Sequence, residues 1–366
     1  MTSHGDAAEL PRRGRPGATL AAVAARVGVS RTTVSNAYNR PDQLSAVLRS
    51  QILAAAAELG YSGPDPVARS LRTRQADAVG LIFSERLGYA FRDPGAVEFL
   101  HGLGEACTER GRSLLMVPAA PVAGHVDTVL RAAVDGFVIS SLSAEDPLLA
   151  AVLSRPQPAV IVDSPRGVAG VDFVGIDDRA GFALAARHVF ELGHRRVGVV
   201  AVRRSEAVAA QPLPTPVRDR LAVAGVAHPV RQLRLSGLLD SMPAGACALV
   251  TERSANAREE GAIGAAVLLA EVAGLSAIMC TSDILALGGL DELAARGLGA
   301  GQDVTVTGFD DVPAAAPAGL TTVRQPLEGK GRSAIELLLD DRPRALASTL
   351  VLPTTLVIRS SSGPPG

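Results

Sequence analysis

Tryptophan is absent from the 366 residues, and tyrosine and phenylalanine together bring aromatic content to only 3%. A site that grips a ring by stacking therefore has few platforms to draw on. Lysine is nearly absent too: Lys330 stands alone, and every other side chain of fixed positive charge is arginine. Cys107, Cys247 and Cys280 lie far apart with no C-x-x-C pair, and the six histidines are as scattered. That spacing argues against a zinc site, predicts no metal or cofactor, and reads the thiols as buried and free. No uncharged apolar run reaches about 18 residues, so no membrane span is expected. The polar N-terminus lacks the apolar core of a secretory leader, which favours the cytoplasm. A G-x-S-x-G elbow, a phosphate-binding loop and metal-ligand spacing are missing, so no enzyme is expected. Gly297-Leu298-Gly299-Ala300-Gly301 follows a helical pattern rather than a strand and reads as a turn, not a dinucleotide fingerprint.

What is present divides the chain by charge. The net charge of −1 hides a basic head and an acidic body: residues 1–75 sum to +5, and the remainder to −6. A basic head suits contact with phosphates. Residues 1–17 read as a disordered basic tail. They contain Arg12-Arg13-Gly14-Arg15-Pro16, which is similar to a minor-groove arm but equally suits a solvated tail.

Residues 18–62 read as three helices. Leu20, Val23 and Ala24 repeat at helical spacing. Gly28 interrupts the pattern, and Ser30 suits the cap of a second helix that keeps Val34 and Ala37 inward. Arg31, Thr32, Ser35 and Asn36 then point outward. Two short helices joined by such a turn are a helix-turn-helix, whose second helix enters the DNA major groove. Arg31 and Thr32 sit at the end that reaches base edges, arginine pairing with guanine and asparagine with adenine. Ser30, Thr33 and Ser35 read as phosphate contacts or caps, and Gln43 and Ser45 as backbone contacts.

From Ala78 onward short apolar runs alternate with helical patterns, which predicts parallel sheets covered by helices. Two such series give two Rossmann-like lobes with a cleft between them, crossed near Gly175, Gly308 and Thr322. Ligands in such folds lie beyond the carboxyl ends of strands. Asp163, Ser282, Asp283 and Asp310 occupy those ends, with hydroxyls and carboxylates suited to a sugar; Asp283 also fits a helix cap. Tyr89 and Phe91 follow the first strand and offer stacking faces. Leu352–Ile358 reads as a final strand, and Ser360–Gly366 as a frayed tail.

Thr19-Leu20, Val27-Gly28-Val29-Ser30, Thr33-Val34-Ser35 and Glu58-Leu59-Gly60-Tyr61 together resemble the LacI/GalR family of bacterial transcription regulators. So do Val134-Asp135-Gly136, Leu192-Gly193-His194-Arg195-Arg196, Ser282 through Gly288, Gly308-Phe309-Asp310-Asp311 and Leu320-Thr321-Thr322-Val323, in the family's order. The resemblance covers about residues 18–360. It implies an α plus α/β architecture: a helix-turn-helix head at 18–62, a hinge helix within 63–77, and a two-lobed periplasmic-binding-protein-type effector domain at 78–360. Residues 361–366 would be a tail. It implies a repressor acting as a homodimer on a palindromic operator, with a small-molecule effector such as a sugar in the cleft and a place at the nucleoid. Thr19, Leu20 and Asn39 join the DNA-binding set by resemblance. In the hinge, Ala68 and Leu71 would meet the minor groove, Leu71 as a wedge between base pairs. Two departures stand out. Asn36 replaces a common arginine, and residues 203–217 lack the family's ligand-holding Arg, leaving Arg203, Arg204 or Arg218 as substitutes. A cytoplasmic sugar-binding protein of this fold, or a regulator without effector response, are the alternatives.

Overall fold

The computed structural model describes residues 19–64, 73, 75–83, 87–118, 125–202, 214–222, 229–340 and 347–366. The basic tail, Ala68 and Leu71 of the expected hinge, and Arg203 and Arg204 lie outside them. The chain divides into two compact units between Gln75 and Ala76.

The first unit contains α1 (Leu20–Val27), α2 (Arg31–Asn39) and α3 (Ala46–Leu59), with a single 3-10 turn at Pro41–Gln43. Each helix has a hydroxyl cap: the side chains of Thr19, Ser30 and Ser45 accept from the amides of Ala22, Thr33 and Leu48. Gly28, at φ 75°, closes α1 in the left-handed conformation and turns the chain into α2. Val23, Val34, Ala37, Ile52 and Ala56 form the core, with Leu20, Tyr38 and Tyr61 packed around it.

The second unit has two lobes. In the first, β1 (Ala78–Phe83), β2 (Ser113–Pro118), β3 (Gly136–Ser140), β4 (Ala159–Val162) and β5 (Asp172–Ile176) join β12 (Thr349–Leu352) in the order β12-β5-β4-β3-β1-β2. All pairings are parallel. Strands buried on both faces need continuous apolar runs, which is how β1, β3 and β4 read. Its helices are α4 (Leu87–Ala90), α5 (Pro94–Glu109), α6 (His125–Arg131), α7 (Pro147–Leu153) and the returning α13 (Leu327–Leu338).

In the second lobe β6 (Arg196–Val202), β7 (Thr215–Pro216), β8 (Cys247–Arg253), β9 (Ala277–Cys280), β10 (Thr305–Asp310), β11 (Thr321–Arg324) and β13 (Thr355–Val357) form the sheet β13-β11-β10-β9-β6-β8-β7. Only the edge strands β7 and β13 pair antiparallel. Helices α8 (Asp178–Glu191), α9 (Val217–Ala222), α10 (Pro229–Ser241), α11 (Arg258–Glu271) and α12 (Asp283–Ala295) cover it.

The chain passes between lobes after β5, after β11 and between β12 and β13. Gly308 is not at a crossing. It lies within β10, where a Cβ would come 2.1 Å from the Oδ1 of Asp283, so only glycine permits that approach. The expected single strand 352–358 is two strands in different sheets; Pro353 has no amide for a ladder and marks the break. The expected frayed end is packed instead. Ser361 is buried, donates to the carbonyl of Val306 at 2.6 Å and accepts from the Thr321 amide at 2.8 Å. His194 Nε2 bonds the carbonyl of Gly363 at 2.8 Å. Two prolines in this stretch suggested fraying, but where the β10–β11 ladder begins, Val306 and Thr321 have backbone groups that Ser361 satisfies. No helix among the described residues is long and apolar enough to cross a membrane.

Candidate functional site

Helix α2 is short, and its two faces differ. Val34 and Ala37 are buried, while Arg31 and Thr32 at its N-terminal end are exposed. Thr33 and Asn36 are half-buried; the Asn36 amide donates to Gln43 at 3.2 Å. The expectation that Ser35 points outward is corrected. It is buried, and its hydroxyl accepts from the Asn39 side chain at 3.1 Å. Asn39 also donates to the Ser35 carbonyl, so both residues are occupied in closing the last turn. Thr19, Ser30 and Ser45 are caps, and Leu20 packs on the head's core. This leaves Arg31, Thr32, Asn36 and Gln43 as one polar surface on and beside α2.

The lobes enclose a cavity of about 670 Å³. Strand ends supply Ser140 from β3, Asp163 after β4, Thr281 and Ser282 after β9, and Asp310 from β10. Asp163 and Asp310 hold φ of 64° and 119°, in the left-handed region that non-glycine residues avoid. Strain of this kind persists where surrounding structure imposes it, as at ligand sites. Tyr89, Asp93 and Asn256 form another part of the wall.

Two expected ligand residues are elsewhere. Phe91 is 64% exposed and does not line the cavity. Asp283 is fully buried behind it, accepting from the Val312 amide at 2.9 Å and from Thr322 Oγ1 at 2.5 Å. Nor is Asp283 the cap of α12: Ser282 takes that place. Arg218 is exposed and outside the cavity.

The cavity's cations come from segments that were not considered for it. Arg231 and Arg234, one turn apart on α10, reach it, and Lys330 reaches it from α13. Each has a carboxylate partner. Arg231 pairs with Glu252. Arg234 Nε lies 3.0 Å from Asp178, and its guanidinium stacks 3.7 Å from the Phe309 ring centroid. Lys330 Nζ lies 2.6 Å from Asp163 and also donates to Gln325, whose own amide donates to Asp310 at 2.5 Å. Burial pushes the Asp310 carboxyl up, and Arg234 beside it works in the opposite direction. Lys330's singularity was a usable signal; nothing local marked Asp93, Asn256, Gln325 or the two arginines.

Residues 19–63 match the family model described as bacterial regulatory proteins, lacI family, and residues 186–362 match a periplasmic binding protein-like domain. An HTH-type transcriptional regulator of Mycobacterium tuberculosis is 45% identical over 95% of this chain and 98% of its own. The chain belongs to the LacI family. Like its relatives, it is a DNA-binding transcription regulator. A solved LacI-family regulator from Corynebacterium glutamicum superposes with a TM-score of 0.69 at 34% identity, covering 93% of this chain and 98% of the other. The CelR–cellobiose complex superposes with a TM-score of 0.64 at 28% identity, covering 95% and 100%.

Proposed function

We propose that this LacI-family regulator is a homodimeric repressor whose grip on a palindromic operator is set by an uncharged, polyhydroxylated effector in the interlobe cavity. The pairing of each cavity cation among the described residues carries this reading. Arg231, Arg234 and Lys330 are each neutralised by a carboxylate of the protein, so an anionic ligand would have to displace one of them. What remains for a ligand includes hydroxyls and a carboxylate suited to sugar hydroxyls, Ser140, Thr281 and Asp310, with Asp163 beside them on Lys330. The sugar in the CelR complex supports the same class.

For DNA, Arg31 and Thr32 read base edges with Asn36 beside them, and Gln43 serves a phosphate. Ala68 and Leu71, which lie outside the described residues, take minor-groove contacts in this reading. The protein works at the nucleoid in the cytoplasm.

The experiment has two arms. Operator sites are selected from randomised duplexes with the full-length protein, and neutral sugars, polyols and phosphorylated sugars are screened by thermal shift. A neutral hit should alter operator affinity. Asp310→Ala should weaken its binding about 10- to 150-fold and leave operator affinity without ligand unchanged. Stabilisation by phosphorylated sugars alone would overturn the effector reading. Selection that yields no preferred duplex would overturn the operator reading.

A further inference from the structure

Asn256 lies in the loop between β8 and α11 of the second lobe, and its side-chain amide is used at both ends. Its Oδ1 accepts from the Ser282 hydroxyl, within its own lobe. The ionised carboxylate of Asp93 can only accept, which fixes the NH2 end of the amide toward the first lobe. There the Nδ2 donates to the Tyr89 hydroxyl at 3.1 Å and to Asp93 Oδ2 at 2.7 Å. The amide NH2 thereby faces two acceptors across the cleft.

The receiving side is equally ordered. Asp93 caps α5, its Oδ1 accepting from the Ala96 amide at 2.8 Å. Its Oδ2 accepts from Tyr89 at 2.8 Å as well as from Asn256. Asp93 is buried, and a bond to a carboxylate out of water is stronger than one between neutral groups. All four side chains line the cavity.

We propose that Asn256 is a positioning residue that latches the two lobes closed, through Tyr89 and Asp93, by bonds made entirely between protein atoms. The angle between the lobes then has an internal set point. An effector entering the cavity meets a wall already tied together, and the strength of the tie scales its affinity. This goes beyond the effector reading and does not depend on the effector's identity.

The test uses the full-length protein with no added ligand. Asn256→Asp keeps the shape and the acceptor for Ser282 but replaces the donor with an oxygen facing the Asp93 carboxylate. Hydrogen exchange in residues 87–97 and 254–258 should quicken at least tenfold together, and the radius of gyration from X-ray scattering should rise. Asp93→Asn combined with Asn256→Asp reverses donor and acceptor, and asparagine still caps a helix, so the double variant should return toward wild type. Strands 79–83 and 197–202 should exchange at wild-type rates throughout. Wild-type exchange in Asn256→Asp, faster exchange confined to 94–97, or a double variant no better than the single one would each overturn the proposal. If those core strands also quicken in Asn256→Asp, Tyr89→Phe, which removes one acceptor for Asn256 and one donor to Asp93 but leaves the Asn256–Asp93 bond, carries the same comparison with a smaller expected change; no change there would likewise overturn it.

Discussion

The ammonium of Lys330, the chain's single lysine, lies 2.6 Å from the carboxylate of Asp163 and also donates to Gln325. Gln325 sits just past β11, where the chain returns to the first lobe, and it donates to Asp310 at the end of β10. A line of polar contacts therefore runs from Asp163 of one lobe to Asp310 of the other. Lys330 is only 2% exposed, which suits a compact ammonium better than a broad guanidinium.

Lys330→Met should destabilise the body by about 1–3 kcal/mol, because it leaves the half-buried Asp163 carboxylate without its cation. Lys330→Arg keeps the charge but overfills the site, for roughly 1–3 kcal/mol. Urea denaturation with circular dichroism measures both. Adding Asp163→Asn to Lys330→Met should give a loss smaller than the sum of the two single changes.

Asp283 has its pKa raised, first by burial and then by the nearby Asp310 carboxylate. The folded protein thus holds this proton more tightly than the unfolded chain does. Its contribution to stability is complete below the unfolded value of about 4 and declines as pH rises through the folded value. Asp283→Asn should flatten the fall in stability between pH 5 and 8, by at most about 1.4 kcal/mol per pH unit. Chemical denaturation across that range measures the slope, and an unchanged slope would count against the assignment.

Ser361→Ala should cost about 1–3 kcal/mol, since the buried Thr321 amide loses its acceptor. Removing residues 360–366 should cost more, by also releasing His194 and Thr305 from Gly363. Differential scanning calorimetry of the three proteins checks the order.

Helix α5 holds an internal control. At Gly102 a Cβ would lie 2.0 Å from the carbonyl oxygen of Glu328 on α13, whereas at Gly104 it would meet nothing within 4 Å. Gly102→Ala should cost about 1–3 kcal/mol or more by forcing α13 outward. Gly104→Ala should gain about 0.5–1 kcal/mol from helix propensity. Thermal unfolding of both variants should show shifts of opposite sign.

Features carried by neighbours in the chain could be read in advance. The caps at Ser30 and Ser45, the turn at Gly28 and the inward pair Val34 and Ala37 depend on contacts three or four residues away. The motifs that carry the family resemblance are likewise short and ordered along the chain, and extend into the second lobe. Ser35 escaped because a nine-residue helix with a buried stripe has little free face, and Asn39 folds back onto it. Alternation of strands and helices indicated two parallel sheets, yet neither the strand order nor the break at Pro353 follows from alternation.

Within the sequence alone, local spacing and capping chemistry determined the reading helix, the lobed architecture and the strand-end residues Asp163, Ser282 and Asp310. Tertiary structure alone decided which charges meet. Asn256 reaches Tyr89 and Asp93 from more than 160 positions away, Lys330 reaches Asp163 from 167, and Arg234 reaches Asp178 from 56. Such pairings depend on how two sheets are crossed and stacked. A side chain's sequence neighbours carry no record of that, because the energy of a buried ion pair or cross-lobe hydrogen bond exists only once both partners have left water together.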